Sequence, residues 1–207
     1  MSLYVTSHPL VQHKLALLRD VATEPLTFRA LVGEIAQILF CEATTDLQLS
    51  PVTVRTPLAD CASRVIWERV GIIPILRAGL SMAEALLKVL PKASVWHLGL
   101  YRDHHTHQPI TYYNKLPPNP NIDVGYVVDP MLATGGSATA AVDILKNWGL
   151  KRIKFIGLIA APEGVQVLQT NHPDVAIHLA AMDSHLDDRM YIVPGLGDAG
   201  DRQFGTI

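Results

Sequence analysis

Short, unbroken apolar runs separated by helical patterns constrain this chain more than any other feature. Val70–Leu76 (VGIIPIL), Gly125–Asp129 (GYVVD) and Arg152–Pro162 (RIKFIGLIAAP) carry apolar residues at successive positions, not only at alternate ones. A strand of that composition is buried on both faces, as in a parallel sheet covered by helices on either side. Ala93–Tyr101 (ASVWHLGLY) and Val175–Asp183 (VAIHLAAMD) extend the set. The segments between read as helices. Leu80–Pro91 closes on a proline, a pattern from about Ala138 to Trp148 stops at Gly149, and Glu163–Pro173 follows the fourth run. Upstream, Phe28, Leu31, Val32, Ile35, Ile38 and Leu39 form one apolar stripe, which predicts a helix over Leu26–Ala43. The alternation specifies an α/β fold with a mostly parallel central sheet flanked by helices, and ligands on such sheets bind beyond the carboxyl ends of the strands. Neither an internal repeat nor a linker divides the chain. One domain over residues 1–207 is expected, with N-terminal helices and a C-terminal tail as accessories.

Composition narrows the function. Of 207 residues, 49% are apolar and 17% charged, ample for a buried core. A mean hydropathy of +0.22 fits a fully covered sheet or a subunit that hides surface in a homo-oligomer. The net charge of −2, with no basic block, disfavours an electrostatic nucleic-acid binder. The first residues read as a short amphipathic helix and not as a signal peptide, and no apolar run approaches a membrane span. Cys41 and Cys61 are too far apart in sequence to suggest a motif; free thiols in a reducing cytoplasm are expected.

The chemistry concentrates in YVVDPMLATGGSATAAV, residues Tyr126–Val142. A strand ends in one carboxylate, Asp129; a short linker follows; then Thr134-Gly135-Gly136-Ser137 opens a helix. A helix N-terminus presents unpaired N–H groups and the positive end of the macrodipole, and glycines let the backbone wrap an anion. Thr134, Ser137 and Thr139 can add hydroxyl donors. The stretch contains neither the dinucleotide fingerprint nor the lysine of a nucleotide-triphosphate loop, so one phosphate monoester is the better size of ligand. Alone, it also fits an ordinary glycine-rich turn with an Asp at a strand end.

Other stretches make the reading specific. VVDPMLATGGS (Val127–Ser137) resembles the 5-phosphoribosyl 1-diphosphate (PRPP) loop of phosphoribosyltransferases. Pro130 stands where the common form carries a second acidic residue, which is similar to the uracil phosphoribosyltransferase branch. PILRAGL (Pro74–Leu80) resembles that branch's diphosphate loop, Tyr101-Arg102 the start of its flexible arm, and YIVPGLGDAGDRQFGT (Tyr191–Thr206) its uracil-binding tail. HPLVQHKL (His8–Leu15) and EATTDL (Glu42–Leu47) match as well. The resemblance covers nearly the whole chain, with the motifs in the family's order. It departs at RTPLADCASRVIWERVG (Arg55–Gly71) and at the arm tip, Asp103–Pro120.

The resemblance implies a type I phosphoribosyltransferase fold with a β-hairpin arm and an irregular C-terminal hood over the base. It implies a pentosyltransferase that joins uracil to PRPP, giving UMP and diphosphate. Arg77, Arg102, Asp129 and Asp198 are the implied catalytic residues. PRPP is implied to contact Arg77, Arg102, Asp129, Pro130, Met131, Leu132, Ala133, Thr134, Gly135, Gly136, Ser137 and Asp198. Uracil is implied to contact Ile192, Gly197, Asp198 and Ala199. Guanidinium groups suit bidentate capture of diphosphate oxygens. Gly79 keeps its loop thin, and a non-proline cis peptide is implied at Leu76–Arg77. The tail has few side chains long enough to read a base, so backbone groups at Ile192, Gly197 and Ala199 are expected to do so. Mg²⁺ is expected to arrive as Mg–PRPP, without direct protein ligands. Asp201 and EATTDL read as structural. No histidine is placed for general-base work; water or a carboxylate can take the N1 proton. His104, His105 and His107 at the arm tip read as a solvated loop and not as a zinc site. Whether GTP is an effector, as for some members, stays open; a homo-oligomer, a dimer first, is expected. An RNA-binding regulator on the same fold and a transferase for a purine are the rival readings.

Overall fold

The computed structural model describes residues 2–102 and 109–206. The chain opens with strand β1 (Leu3–Val5) and helices α1 (Pro9–Arg19) and α2 (Pro25–Ala43). A hairpin, β2 (Leu49–Arg55) and β3 (Asp60–Ile66), leads to β4 (Val70–Leu76), α3 (Leu80–Val89), β5 (Ser94–Val95), β6 (Leu98–Arg102) and β7 (Pro109–Asn114). The second half runs β8 (Val124–Val128), β9 (Met131–Leu132), α4 (Gly136–Asn147), β10 (Ile153–Ala160), α5 (Pro162–Asn171) and β11 (Ala176–Met182). The tail contributes β12 (His185–Leu186), β13 (Ile192–Val193) and helix α6 (Ala199–Phe204).

The central sheet has the order β1-β11-β10-β8-β4-β6-β7, with β5 also on β4 and β9 on β10. Its pairings are parallel except β6 with β7, the expected hairpin. The inner strands β4, β8 and β10 are buried on both faces, as the unbroken apolar runs require. Val124, Tyr126 and Val128 face α1, α2 and α3, while Val127 and Phe155 face α4 and α5. No helix among the described residues is long and apolar enough to cross a membrane.

Several boundaries differ from expectation for identifiable reasons. The run Ala93–Tyr101 divides into β5 and β6, although both keep one register against β4, pairing Ile72 with Val95 and Ile75 with Leu98. The break falls at Trp96, whose indole packs edge-on against Trp148 at 6.4 Å. β1 has only three residues and no periodicity of its own; it exists because β11 offers an open edge, where Tyr4 stacks on His178 at 4.7 Å. The segment at Arg55–Gly71 that departs from the family pattern completes the β2–β3 hairpin, whose two strands pair fully with each other. The tail, expected to be irregular, ends in α6.

The Glu42–Leu47 stretch is structural, as expected. Thr44 Oγ1 donates to Phe40 O at 2.7 Å and caps the end of α2. Asp46 then reaches the amino ends of the strands, accepting from Lys154 Nζ at 2.6 Å and pairing with Arg152 at 2.9 Å. Lys154 is buried and also donates to Ala43 O. Partial burial pushes the Asp46 carboxyl up, but Lys154 and Arg152 outweigh it and hold the group below its ordinary range. Asp46→Ala is expected to strand the Lys154 ammonium and cost about 1–3 kcal/mol, toward the lower end because Asp46 is half exposed. Urea unfolding with an unchanged m-value measures that loss.

Candidate active site

Two adjacent strands deliver the first two groups. β4 and β8 are parallel neighbours, so their carboxyl ends lie side by side, carrying Arg77 and Asp129. The Leu76–Arg77 peptide is cis, as implied. The chain then turns through a Leu80 N to Arg77 O hydrogen bond of 3.1 Å into α3. Gly79 is more than a thin loop residue. A Cβ there would lie 2.3 Å from Val128 O and 3.0 Å from the Ile75 backbone, so glycine is what lets the β4 loop press against the end of β8. The Arg77 side chain is 60% exposed, and its only described ion pair is a loose one of 3.5 Å to Asp201. Such a pair holds the guanidinium weakly and leaves it available to an anion.

Past Asp129 the chain does not run free. Pro130 O accepts from Leu158 N and Ile159 N, and Leu132 O accepts from Ala161 N, so Pro130–Leu132 lies flat against β10. Pro130 and Leu132 are buried, and Met131 and Ala133 partly so. These residues wall a cradle whose floor is the N-terminus of α4. Gly135 sits there at φ +80°, and an added Cβ would meet Gly164 O at 2.7 Å. Gly164 in turn would clash with Ala133 O at 2.3 Å, so two glycines bring α5 onto the back of the loop. Helix α4 has no side-chain cap and no acidic residue in its first turn. Its leading N–H groups, from Gly136 and Ser137 onward, therefore remain for an anion. Thr134 and Ser137 are half-buried beside them. Thr139 Oγ1 is shut away from solvent without a hydrogen-bond partner among the described residues.

Asp129 is electrostatically loaded. Burial pushes its carboxyl up to about 7; the Met131 N–H, 3.3 Å from Oδ1, pulls it down, and the negative charge of Asp198 raises it further. Asp198 thus faces the same site from the tail. Its own Oδ1 accepts from Asp201 N at 2.9 Å and caps α6. Asp201 also accepts from Thr206 Oγ1 at 2.6 Å, which fits the structural part expected of it.

The tail is built from backbone. β12 and β13 pair antiparallel, and Tyr191 O and Val193 O accept from Asp187 N and Ser184 N. By alternation the N–H and C=O of Ile192 point to the opposite edge. The Val193–Pro194 peptide is cis, and Gly195 and Gly197 have φ of +65° and +78°. Ile192 and Ala199 bury their side chains in the core, whereas Gly197 and Asp198 are exposed. Sequence reading passed over Gln203. It is wholly buried, and its Nε2 donates to Ala78 O at 3.1 Å and Ala199 O at 2.9 Å, tying the tail to the Arg77 loop.

Arg102 ends β6, its Cα paired with Pro109 of β7. The tip with His104, His105 and His107 lies outside the described residues. Among the described residues no group of three His, Cys, Asp or Glu side chains is gathered to hold a metal. Cys41 and Cys61 are free and exposed.

Comparison with known proteins places the sequence and the fold. The family model for uracil phosphoribosyltransferase matches residues 5–206. The uracil phosphoribosyltransferase of Roseiflexus castenholzii is 63% identical over 203 residues, covering 98% of both chains. The solved AQ2163 protein of Aquifex aeolicus superposes with a TM-score of 0.92 at 35% identity, covering 98% of this chain and 97% of its own. The adenine phosphoribosyltransferase of Thermoanaerobacter pseudethanolicus shares the fold, with a TM-score of 0.52 at 13% identity over 76% of this chain and 84% of its own.

The raised Asp129 carboxyl has a consequence for stability. The folded chain holds this proton up to about pH 7, whereas an ordinary Asp releases it near 3.8. The stabilisation is full below the lower value and lost as pH rises through the upper one. Asp129→Asn is therefore expected to leave Tm unchanged near pH 4 and to raise it at pH 8, by the equivalent of a few kcal/mol on the order of the shift itself. Thermal unfolding of both proteins across that range checks the sign.

Proposed function

The chain belongs to the uracil phosphoribosyltransferase family, and from that premise we propose how its residues divide the work. The enzyme transfers the 5-phosphoribosyl group of PRPP to N1 of uracil. The bond from C1 to the diphosphate oxygen breaks, the C1–N1 bond forms, N1 loses its proton, and UMP and diphosphate leave. One observation carries the assignment of roles: the uncapped N-terminus of α4 opens beside Asp129 at the strand ends, where Arg77 also emerges.

Gly135, Gly136, Ser137 and Thr134 take the 5-phosphate, and Pro130–Ala133 wall it. Asp129 accepts from the ribose hydroxyls. Arg77 and Arg102 hold the diphosphate, with Asp198 on the same side. Mg²⁺ enters as part of the substrate, Mg–PRPP, and supplies charge stabilisation to the leaving diphosphate. The mutual repulsion of Asp129 and Asp198 fits a mouth built to receive a cation-loaded substrate. Backbone groups of Ile192, Gly197 and Ala199 read the uracil edge and align N1 with C1. A fixed backbone that demands O4 and N3–H together disfavours cytosine, because mismatched buried polar groups are costly. The work is positioning and electrostatics, without a covalent intermediate.

The quaternary proposal rests on the β2–β3 hairpin. Among the described elements none packs broadly against either strand except the other. Leu49, Val54, Leu58, Val65 and Ile66 are exposed along it. A lone two-stranded hairpin is marginal in water, so a second copy of the chain is the natural cover, in a homodimer. A monomeric mass by light scattering at micromolar concentration refutes this. The exposed free thiols fit a reducing compartment, and we assign the enzyme to the cytoplasm. GTP is retained as a candidate effector, tested by its effect on kcat at saturating uracil.

UMP formation from labelled uracil and Mg–PRPP is the direct test. Turnover with a purine but not uracil overturns the reading. Asp129→Ala is expected to raise the KM for PRPP by about tenfold or more while leaving uracil binding nearly intact. Equal loss of both places Asp129 elsewhere.

A further inference from the structure

We propose that Arg19 and Asp183 form the positioning pair that fixes the base-reading turn and thereby sets the affinity for uracil. The inference rests on the assignment of the tail to uracil. Asp183 follows the carboxyl end of β11 much as Asp129 follows that of β8, but the tail and not the substrate covers it, and only 8% of the residue is exposed. Its Oδ2 accepts from the N–H of Gly195 at 2.9 Å. The Arg19 guanidinium arrives from the end of α1 and grips the same carboxylate with both prongs, Nη1 to Oδ2 at 2.8 Å and Nη2 to Oδ1 at 2.5 Å. Nη1 also donates to Gly195 O at 2.7 Å. One ion pair therefore fixes both polar groups of a single residue.

That residue is well placed to matter. Gly195 lies between Ile192 and Gly197, directly after the Val193–Pro194 peptide. It takes φ of +65° and folds so tightly over Ile192 that a Cβ would stand 2.0 Å from Ile192 O. The turn that the pair holds thus packs directly against the carbonyl of Ile192, the residue whose backbone is expected to meet uracil. Where backbone reads the base, no side chain is present to tune the contact, and recognition depends on how rigidly the path is held. A buried carboxylate, a bidentate guanidinium and two backbone bonds from one glycine are a stiff way to hold it. Neither residue touches the phosphate cradle or the Arg77 loop in the described contacts.

Steady-state kinetics with each substrate varied separately, beside thermal unfolding, tests the pair. Asp183→Asn and Arg19→Gln are expected to raise the KM for uracil about tenfold or more. The kcat and the KM for PRPP are expected to stay within about twofold, because a loosened turn weakens uracil equally in ground and transition states. Arg19→Lys keeps the charge but loses the fork, and its uracil KM is expected to fall between wild type and Arg19→Gln. A rise in both KM values together, or a lowered Tm with uracil KM unchanged, overturns the proposal in favour of a merely structural pair. If Asp183→Asn does not fold, the two Arg19 variants decide on the same terms. A wild-type chain that never uses uracil defeats the tail assignment and this inference together. Uracil turnover with indifferent variants defeats this inference alone.

Discussion

The approach of Gly79 to the end of β8 is the contact on which the active site depends. Parallel neighbours β4 and β8 bring two loops to one edge, but side-by-side strands do not by themselves place their loops in register. A missing Cβ at Gly79 lets one backbone lie against Val128 O, and this brings the loop that carries Arg77 close against the strand end that carries Asp129. Everything later in the chain accommodates that junction. The cradle takes its wall from the residues after Asp129, and Gln203 anchors the tail on Ala78, one residue before Gly79.

The site follows an economy in which backbone binds and side chains brace. On the proposed assignment, an uncapped helix offers N–H groups to a phosphate, and a turn with two glycines offers peptide groups to a base. Arg77, proposed to contact substrate, is loosely held, by one ion pair of 3.5 Å among the described residues. Side chains that hold the backbone are tightly held. Arg202, for instance, lies over the Phe28 ring at 4.4 Å while donating to Leu18 O and Leu196 O at 3.0 and 2.9 Å.

Local signals made most of this legible. The parallel core strands, the three helices between them and the loop at Asp129–Ser137 could be read because unbroken apolar runs, terminal glycines and prolines act within a few residues. The elements that escaped reading are those defined from far away. β1 has no pattern beyond Leu-Tyr-Val and needs the edge of β11. Helix α6 is six residues long, too short for periodicity, and is specified by its Asp198 cap and by Gln203 reaching another loop. The same holds for Arg19 and Asp183, which sit 164 residues apart in the chain. Asp183 did carry a faint local signal, a carboxylate at a strand end in the pattern of Asp129.

The Arg19 and Arg202 contacts join the first twenty residues to the last twenty-five, and this orders events during folding. Closing so long a loop carries a large entropic cost and must wait for most of the chain to be ordered. On a ribosome, the segment that braces the base-reading turn emerges first and stays without its partner until synthesis is nearly complete. The loop after Asp129 makes its described backbone contacts with β10 and α5, both earlier in the chain than the tail. On the assignment proposed above, the nascent chain acquires the loop for the sugar phosphate before the turn for the base, and selectivity for the base falls to its last residues.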